Sequence, residues 1–567
     1  MSTTLIQQFD LLASSLGGVA KLRELILSLA VRGKLVPQNP ADEPASMLLQ
    51  KIRAEKERLI AEGKIKKDKP LSPISDEEKP FELPEGWEWV RLDHIGSTFI
   101  GLTYSPEDVS ASNDGIPVLR SSNIQRNKID LHDLVRVKID VKQGLIVEDG
   151  DLLICARNGS KALVGKAAII KGLNEPMTFG AFMAIYKSRL NSFIEIFIQS
   201  PMFRNMLEGV ATTTINQITQ SNLKQTVIAL PPLPEQSRIV AKVEQLLALC
   251  DRLEAEQGQA ARTQGHWVEA ALAQLADSAD ADDFARHWQH LAQHFDTLFT
   301  TPDSITQLEA TLLQLAVRGK LVPQDPSDEP ASALLQKIRT EKDRLLAEGK
   351  IKKDKSLPPI SDEEKPFELP KGWEWGRLVD LCSLITDGTH QTPKYVSNGK
   401  PFLSAQNVKP FRFLANDYKY VSEADFNTLR KNRTPERGDI LLTRVGAMIG
   451  EAAVIDTDLE FAFYVSLALL KPHKPFLDSR YIVLWLNSPY GTSSSIKNTL
   501  GRGVSSGNLN LSLIRKFVLP VPPIAEQPRI VAKLDALLAL TARLKTQLAK
   551  AQQMQALLAD VLLETST

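Results

Sequence analysis

"LAVRGKLVPQ", residues Leu29 to Gln38, recurs letter for letter at Leu315 to Gln324, and a string of that length does not recur by chance in 567 residues. Shifting the chain on itself by 286 positions carries Leu29 to Trp89 onto Leu315 to Trp375 without a gap, with 52 of 61 pairs identical. Backwards the match fades, "LIQQFDLL" from Leu5 facing "LAQHFDTL" from Leu291. A second repeated pair follows further on: "PPLPEQSRIVAKVEQLLAL" from Pro231 and "PPIAEQPRIVAKLDALLAL" from Pro522. Between these strings lie Val90 to Leu230 and Gly376 to Val521, which share only a skeleton, "GDLLICAR" against "GDILLTR" for example. The layout is a shared frame, a variable block and a shared helix, written twice. So long a period is no solenoid; it describes two equivalent domains on a pseudo-two-fold frame. The expected division is arm and linker 1–85, variable block 86–230, spacer helix 231–275, bridge and second arm 276–371, second block 372–521 and second spacer helix 522–567.

A chain of this length exceeds what one core supports. Its 43% hydrophobic and 24% charged residues are ordinary for a globular protein. Cys155, Cys250 and Cys382 show neither close pairing nor metal spacing, which points to a reducing cytoplasm. "MSTTLIQQFDLL" lacks the pattern of a signal peptide and no apolar run is long enough for a bilayer, so a cytoplasmic protein without membrane contact is expected. The 68 basic and 68 acidic residues cancel, yet the first block carries +2 and the second +6, leaving an acidic frame. Slightly basic blocks are compatible with a duplex nucleic acid.

After each "EQ" the apolar residues fall on a heptad: Ile239, Val243, Leu246, Cys250 and Leu253, then Ile530, Leu534, Leu537, Thr541, Leu544 and Leu548. Steps of four and three make a coiled-coil seam. The alternative is that each seam packs on its own domain. Ala276 to His287 bridges the two copies, and the termini fall at the equivalent junction, an arrangement that antiparallel pairing of the two helices would complete. Within the blocks "GDLLICA", "GKAAII" and "AFMAIY", with "GDILLT", "GEAAVI" and "YVSLALL", predict short strands, and one apolar helix follows near Phe193 to Ile198 and near Tyr481 to Leu486. The fold class is therefore α+β: two α+β domains joined by two long, antiparallel coiled-coil helices in a pseudo-two-fold repeat.

Catalytic signals fail on inspection. "NGSKALVGKA" from Asn158 has the wrong glycine spacing for a phosphate loop, and its lysine is replaced by Glu451 in the second copy. "NSPY" at Asn487 resembles the base-holding motif of adenine methyltransferases, but its counterpart is "QSPM" and no glycine-rich donor site accompanies it. His287, His290 and His294 share a helical face, yet the last two face Thr4 and Gln8 in the first copy. No catalytic residue and no metal site is expected.

The punctuation of the blocks, "FELPEGWEW" or "FELPKGWEW" before and "PPLPEQ" or "PPIAEQ" plus a heptad helix after, resembles that of the specificity subunits of type I restriction-modification enzymes, a bacterial defence system. The resemblance covers nearly the whole chain. It implies that each block is a target recognition domain reading one half of a split double-stranded DNA site. It further implies that the helices set the spacing and dock two methylation subunits, to which restriction subunits add. S-adenosylmethionine, ATP and Mg would then belong to the partner subunits and no cofactor to this chain. From Ile530 to Ala551 a helix spans about 32 Å, close to the ~34 Å between half-sites one DNA turn apart. Two other classes fit the residues: a coiled-coil scaffold without DNA, and a self-sufficient methyltransferase.

DNA contacts are expected from polar loops. In the first block these are Arg120, Ser121, Ser122, Asn123, Gln125, Arg126 and Lys128, then Arg157, Asn158, Ser160 and Lys161, then Thr213, Asn216 and Gln217. In the second they are Ser404, Gln406, Asn407 and Lys409, then Arg444, then Arg502, Ser505, Ser506 and Asn508. Recurrence of the clusters at matching places in both copies is the argument for them.

Overall fold

The computed structural model of the chain describes residues 12–13, 17–63, 70–110, 112, 114–208, 217–352, 356–500 and 507–566. It divides into two units, Met1–Gln259 with Gln552–Thr567, and Ala260–Ala551.

The repeated string is the end of one helix and its stop. The frame helix Gly18–Val31 buries Val19, Leu22, Leu25, Ile26 and Leu29, spaced by three and four. It ends because Gly33 takes φ 69° and the Lys34 N–H reaches back to the Leu29 carbonyl at 2.9 Å, a closure that favours glycine at the left-handed position. Its counterpart Pro302–Val317 ends identically, with Gly319 at φ 69° and Lys320 bonded to Leu315 at 3.0 Å. An arm helix follows in each unit, Ala45–Ala61 and Ala331–Ala347.

Each block is closed at its base by its own first and last strands. Glu88–Arg91 pairs antiparallel with Val227–Leu230, and Glu374–Arg377 with Val518–Val521. Above the first pair stands a four-stranded antiparallel sheet in the order Ser97–Ile100, Met183–Lys187, Leu152–Cys155, Ala167–Ile169. A three-stranded sheet, Val135–Val137, Ile116–Leu119 and Thr178–Phe179, and the hairpin Ile124–Gln125 with Lys128–Ile129 complete the block. The second block repeats the plan, with Cys382–Asp387, Leu467–Pro472, Ile440–Thr443 and Ala452–Val454 in its main sheet.

Leu152–Cys155 is buried throughout because the sheet has a core on each face. Leu152 and Ile154 join the core that contains the block helix Asn191–Gln199, while Leu153 and Cys155 join a second core with Leu119 and Phe179. Alternation across a strand sends successive side chains to opposite faces, so a doubly covered strand reads as a continuous apolar run. Ile440, Leu442 and Leu441 divide likewise. "AFMAIY" needs correction at its start: the strand begins at Met183, and Ala181 and Phe182 lie in the turn before it.

The long helices run Leu233–Ala276 and Glu526–Ser566. The heptad positions form a buried stripe on each, but the frame helix of the same unit covers it. Ile239, Val243, Leu246 and Cys250 share one core with Leu22, Leu25 and Ile26, with Leu253 partly buried against it. Ile530, Leu534 and Leu537 share another with Leu308 and Leu312, with Leu544 and Leu548 at its margin. Thr541 breaks the apolar pattern for a reason: its hydroxyl donates to Glu309 at 2.8 Å, and Lys545 binds the other oxygen of that carboxylate at 2.7 Å. Over these positions each stripe packs on the frame helix of its own unit, the alternative that a sequence period alone does not distinguish from helix-to-helix pairing.

Candidate nucleic-acid interface

The frame carries the blocks through a junction built twice. Trp87 donates Nε1–H to Glu235 at 3.1 Å, and Gln38 donates its amide both to Glu235 (3.2 Å) and to the Gly33 carbonyl (2.6 Å). In the second unit Trp373 reaches Glu526 at 2.9 Å and Gln324 donates to Glu526 (3.1 Å) and Gly319 (2.7 Å). Arg91 then pins the linker, binding Glu78 at 2.9 Å, as Arg377 binds Glu364 at 2.8 Å. The Arg377 guanidinium holds the Glu364 carboxyl down at about 2. The letters repeated in sequence are therefore the contacts repeated in space.

On this base the polar loops of the first block converge. Ser121 and Asn158 meet at 3.4 Å, and the backbone of Arg157 bridges to Gln217. Arg126 and Asn127, at φ 48° and 58°, form the two-residue tip of the hairpin. Ser122, Gln125, Arg126, Lys128, Ser160, Lys161 and Gln217 are exposed, while Arg120, Ser121, Arg157 and Asn158 are half-buried. In the second block Gln406 and Asn508 are exposed and Ser404 and Lys409 half-buried. Burial pushes the Glu451 carboxyl up, while Lys409, 4.0 Å away, pulls it down. Thr213, Asn216, Arg502, Ser505 and Ser506 lie outside the described residues.

Three candidates face inward. Asn123 is 1% exposed, donates to the carbonyls of Asp130 and Asp133 at 3.0 and 2.9 Å, and accepts from the Arg120 N–H. Asn407 does the same with Leu414, Asn416 and Ser404. Both brace the loop and offer no free edge to a base. Arg444, 4% exposed, binds Asp387 (3.0 Å), Asn508 (2.9 Å) and the carbonyls of Val465 and Leu509. It is not the counterpart of Arg157. The N–H groups of Ala156 and Arg157 both bond the Phe182 carbonyl, the Arg444 N–H bonds that of Ser466, and the bridges Arg157 to Gln217 and Val445 to Asn508 correspond. Arg157 therefore matches Val445, and Arg444 matches the buried Ala156.

Two exposed side chains beside these loops escaped the sequence reading. Phe182 is 58% exposed, with the Arg157 guanidinium 5.3 Å above its ring; "AFMAIY" gave no hint, since an aromatic there reads as core. His390 lies 3.1 Å from Asp387 in the polar stretch "TDGTHQTPKY", whose composition could have marked it. Among the described residues no group of His, Cys, Asp or Glu is placed to hold a metal, and no helix is long and apolar enough to cross a membrane.

Two like domains with polar, mutually different loops on one duplicated frame define a paired recognition protein, and comparison identifies the class. Residues 84–261 and 370–552 match the Type I restriction modification DNA specificity domain. The chain belongs to the specificity subunits of type I restriction-modification systems and carries two DNA specificity domains. It is 37% identical over 97% of its length to the type I restriction enzyme EcoAI specificity subunit of Escherichia coli, covering 94% of that protein. It is 38% identical to the EcoEI specificity subunit of the same organism, again over 97% of this chain and 94% of the relative. A solved chain, from work on complex assembly and conformational transition of the type I R-M system, shares the fold at a TM-score of 0.50 and 19% identity, over 86% of this chain and 99% of that one. Specificity subunits are non-catalytic members of such systems.

Proposed function

We propose that each block reads one half of a bipartite, asymmetric double-stranded DNA target in the cytoplasm, and that the frame holds two adenine-methylating subunits in equivalent places. Restriction subunits join that assembly. The observation that carries the reading is the contrast between base and loops: the Trp–Glu–Gln junction is the same in both units, whereas Phe182, Arg157 and Gln217 stand where the second block has Ser466, Val445 and Asn508. Equal junctions suit equal partners, and unequal loops suit unequal half-sites.

Antiparallel pairing of the long helices as the spacer belongs to this reading. It is supported by their course: Leu233–Ala276 passes from the first unit into the second, and Glu526–Ser566 from the second into the first. S-adenosylmethionine, ATP and Mg are bound by the partner subunits, and each methylation subunit flips an adenine out of its half-site.

The test is co-expression with the cognate methylation subunit in a host without other methylases, followed by sequencing of N6-methyladenine. A single split motif with one methylated adenine in each half is the expected result. Replacing Val90 to Leu230 with another family member's block changes one half only. An assembled complex that leaves no methylated motif, or a block exchange that alters both halves, overturns it.

A further inference from the structure

The turn Gly180–Met183 presents one aromatic ring to solvent. Met183 N–H closes it onto the Gly180 carbonyl at 2.8 Å, and the Phe182 carbonyl accepts from Ala156 (2.9 Å) and Arg157 (3.0 Å). The backbone under Phe182 is thus fastened to the end of the central strand Leu152–Cys155. Its neighbours Phe179 and Met183 are 1% exposed, but the Phe182 ring is 58% exposed. A single exposed apolar residue is ordinary by itself; the surroundings of this one are not. Arg157 lies over the ring at 5.3 Å, Gln217 pairs with the Arg157 backbone, and Ser121 meets Asn158 on the adjoining loop.

The second block shows that the fold does not require the ring. There Ser466 occupies the position, its carbonyl accepting from Arg444 at 2.9 Å and its hydroxyl from the Ala405 N–H at 3.0 Å. Framework residues recur at some matching places, as Asn123 and Asn407 do, and differ at others, as Ala156 and Arg444 do; at this one the turn forms with either side chain. Phe182 differs between copies, has its carbonyl hydrogen-bonded by Ala156 and Arg157, and sits among donors of the types that read base edges.

Resting on the function proposed above, we infer that Phe182 and Arg157 act as one reading unit for the half-site of the first block. Stacking on an aromatic face orients the planar guanidinium. Arginine then donates to the O6 and N7 edge of a guanine, and the ring lies against the adjoining base pair, where an apolar side chain meets a thymine methyl in the major groove. The partner is duplex DNA, and the contact confers specificity at one position.

The experiment compares methylomes of the complex assembled with wild-type chain, with Phe182→Ser and with Arg157→Ala. Phe182→Ser installs the residue of the other block on an unaltered turn. The expected outcome is relaxation at one position of one half-site, with discrimination there falling about tenfold or more, and the other half unchanged. Arg157→Ala relaxes the neighbouring position of the same half. Loss of methylation by an assembled variant of unchanged melting midpoint, restored by Phe182→Trp, also supports the contact. The same motif at the same stringency for Phe182→Ser, or relaxation in both halves, overturns it. A wild-type complex without a split motif refutes the parent reading instead, so the two failures are told apart.

Discussion

Trp87 and Glu235, 148 positions apart in sequence, meet through one hydrogen bond of 3.1 Å that fastens the linker to the start of the long helix. Burial pushes the Glu235 carboxyl up, against the pull of Trp87 and Gln38. Glu235→Ala leaves the indole N–H without its acceptor and the Gln38 amide with the Gly33 carbonyl alone, at a cost of about 2–3 kcal/mol. The melting transition of the variant is expected to fall by several degrees, and Glu526→Ala, which strips Trp373, by a similar amount; an unchanged midpoint would refute the role assigned to the junction.

Gly33 and Gly319 are expected to tolerate no side chain. A Cβ on Gly33 meets Pro84 Cγ at 2.6 Å and Trp87 Cζ2 at 2.9 Å, with the same distances to Pro370 and Trp373 at Gly319. Alanine adds the left-handed strain to this overlap, about 2–4 kcal/mol together. Denaturant unfolding of Gly33→Ala and Gly319→Ala measures it, and a loss below 1 kcal/mol would contradict the geometry.

Arg157 and Arg444 separate by assay. Arg444→Ala removes a guanidinium with four partners and leaves the largely buried Asp387 with His390 alone beside its carboxylate, destabilising the second block by about 3–5 kcal/mol. Arg157→Ala is expected to leave the melting midpoint within a degree while weakening DNA binding by the assembled complex. Thermal melting and fluorescence anisotropy on the motif duplex decide between them, and the reverse pattern would restore Arg444 as a contact.

Asn123→Ala strips two carbonyls of their donor and one N–H of its acceptor, an expected loss of about 2–3 kcal/mol. The exposed Gln125→Ala is expected to change stability by less than about 0.5 kcal/mol. Equal effects on stability would place Asn123 outside the brace.

Glu195 in the block helix gives a pH dependence. Burial raises its carboxyl to about 7, with the Ile169 N–H and Lys171 opposing and Glu244 reinforcing. The folded state thus favours the protonated acid, so this group's contribution is most favourable at acid pH, declines as pH rises from about 4.5 to about 7 and is flat above. Glu195→Gln is expected to gain on the order of 1–2 kcal/mol at pH 8 and almost nothing at pH 4.5. A gain independent of pH would exclude titration of Glu195 as its source.

Much of this was legible in the letters. An ungapped identity of 52 pairs in 61, with the second repeated string that supplies Glu235 and Glu526, means that Gly33, Gln38, Trp87 and Glu235 hold the same junction as Gly319, Gln324, Trp373 and Glu526. The heptad located a real buried stripe but not its cover, because Leu22 and Leu308 satisfy an apolar seam as well as another long helix does. In the loops, recurrence misled. Asn123 and Asn407 recur because the fold needs them, whereas residues that discriminate half-sites must differ.

What the chain's letters determined is the duplicated frame, since periodicity, helix stops and repeated strings are local properties that survive without coordinates. What required the folded arrangement is which polar side chains face outward. "GDLLICAR" and "GDILLTR" differ in length by one residue, and one step along a strand reverses the face. Hydrogen bonding, rather than spelling, therefore puts Arg444 inside with Asp387 and leaves Arg157 at the surface against Phe182.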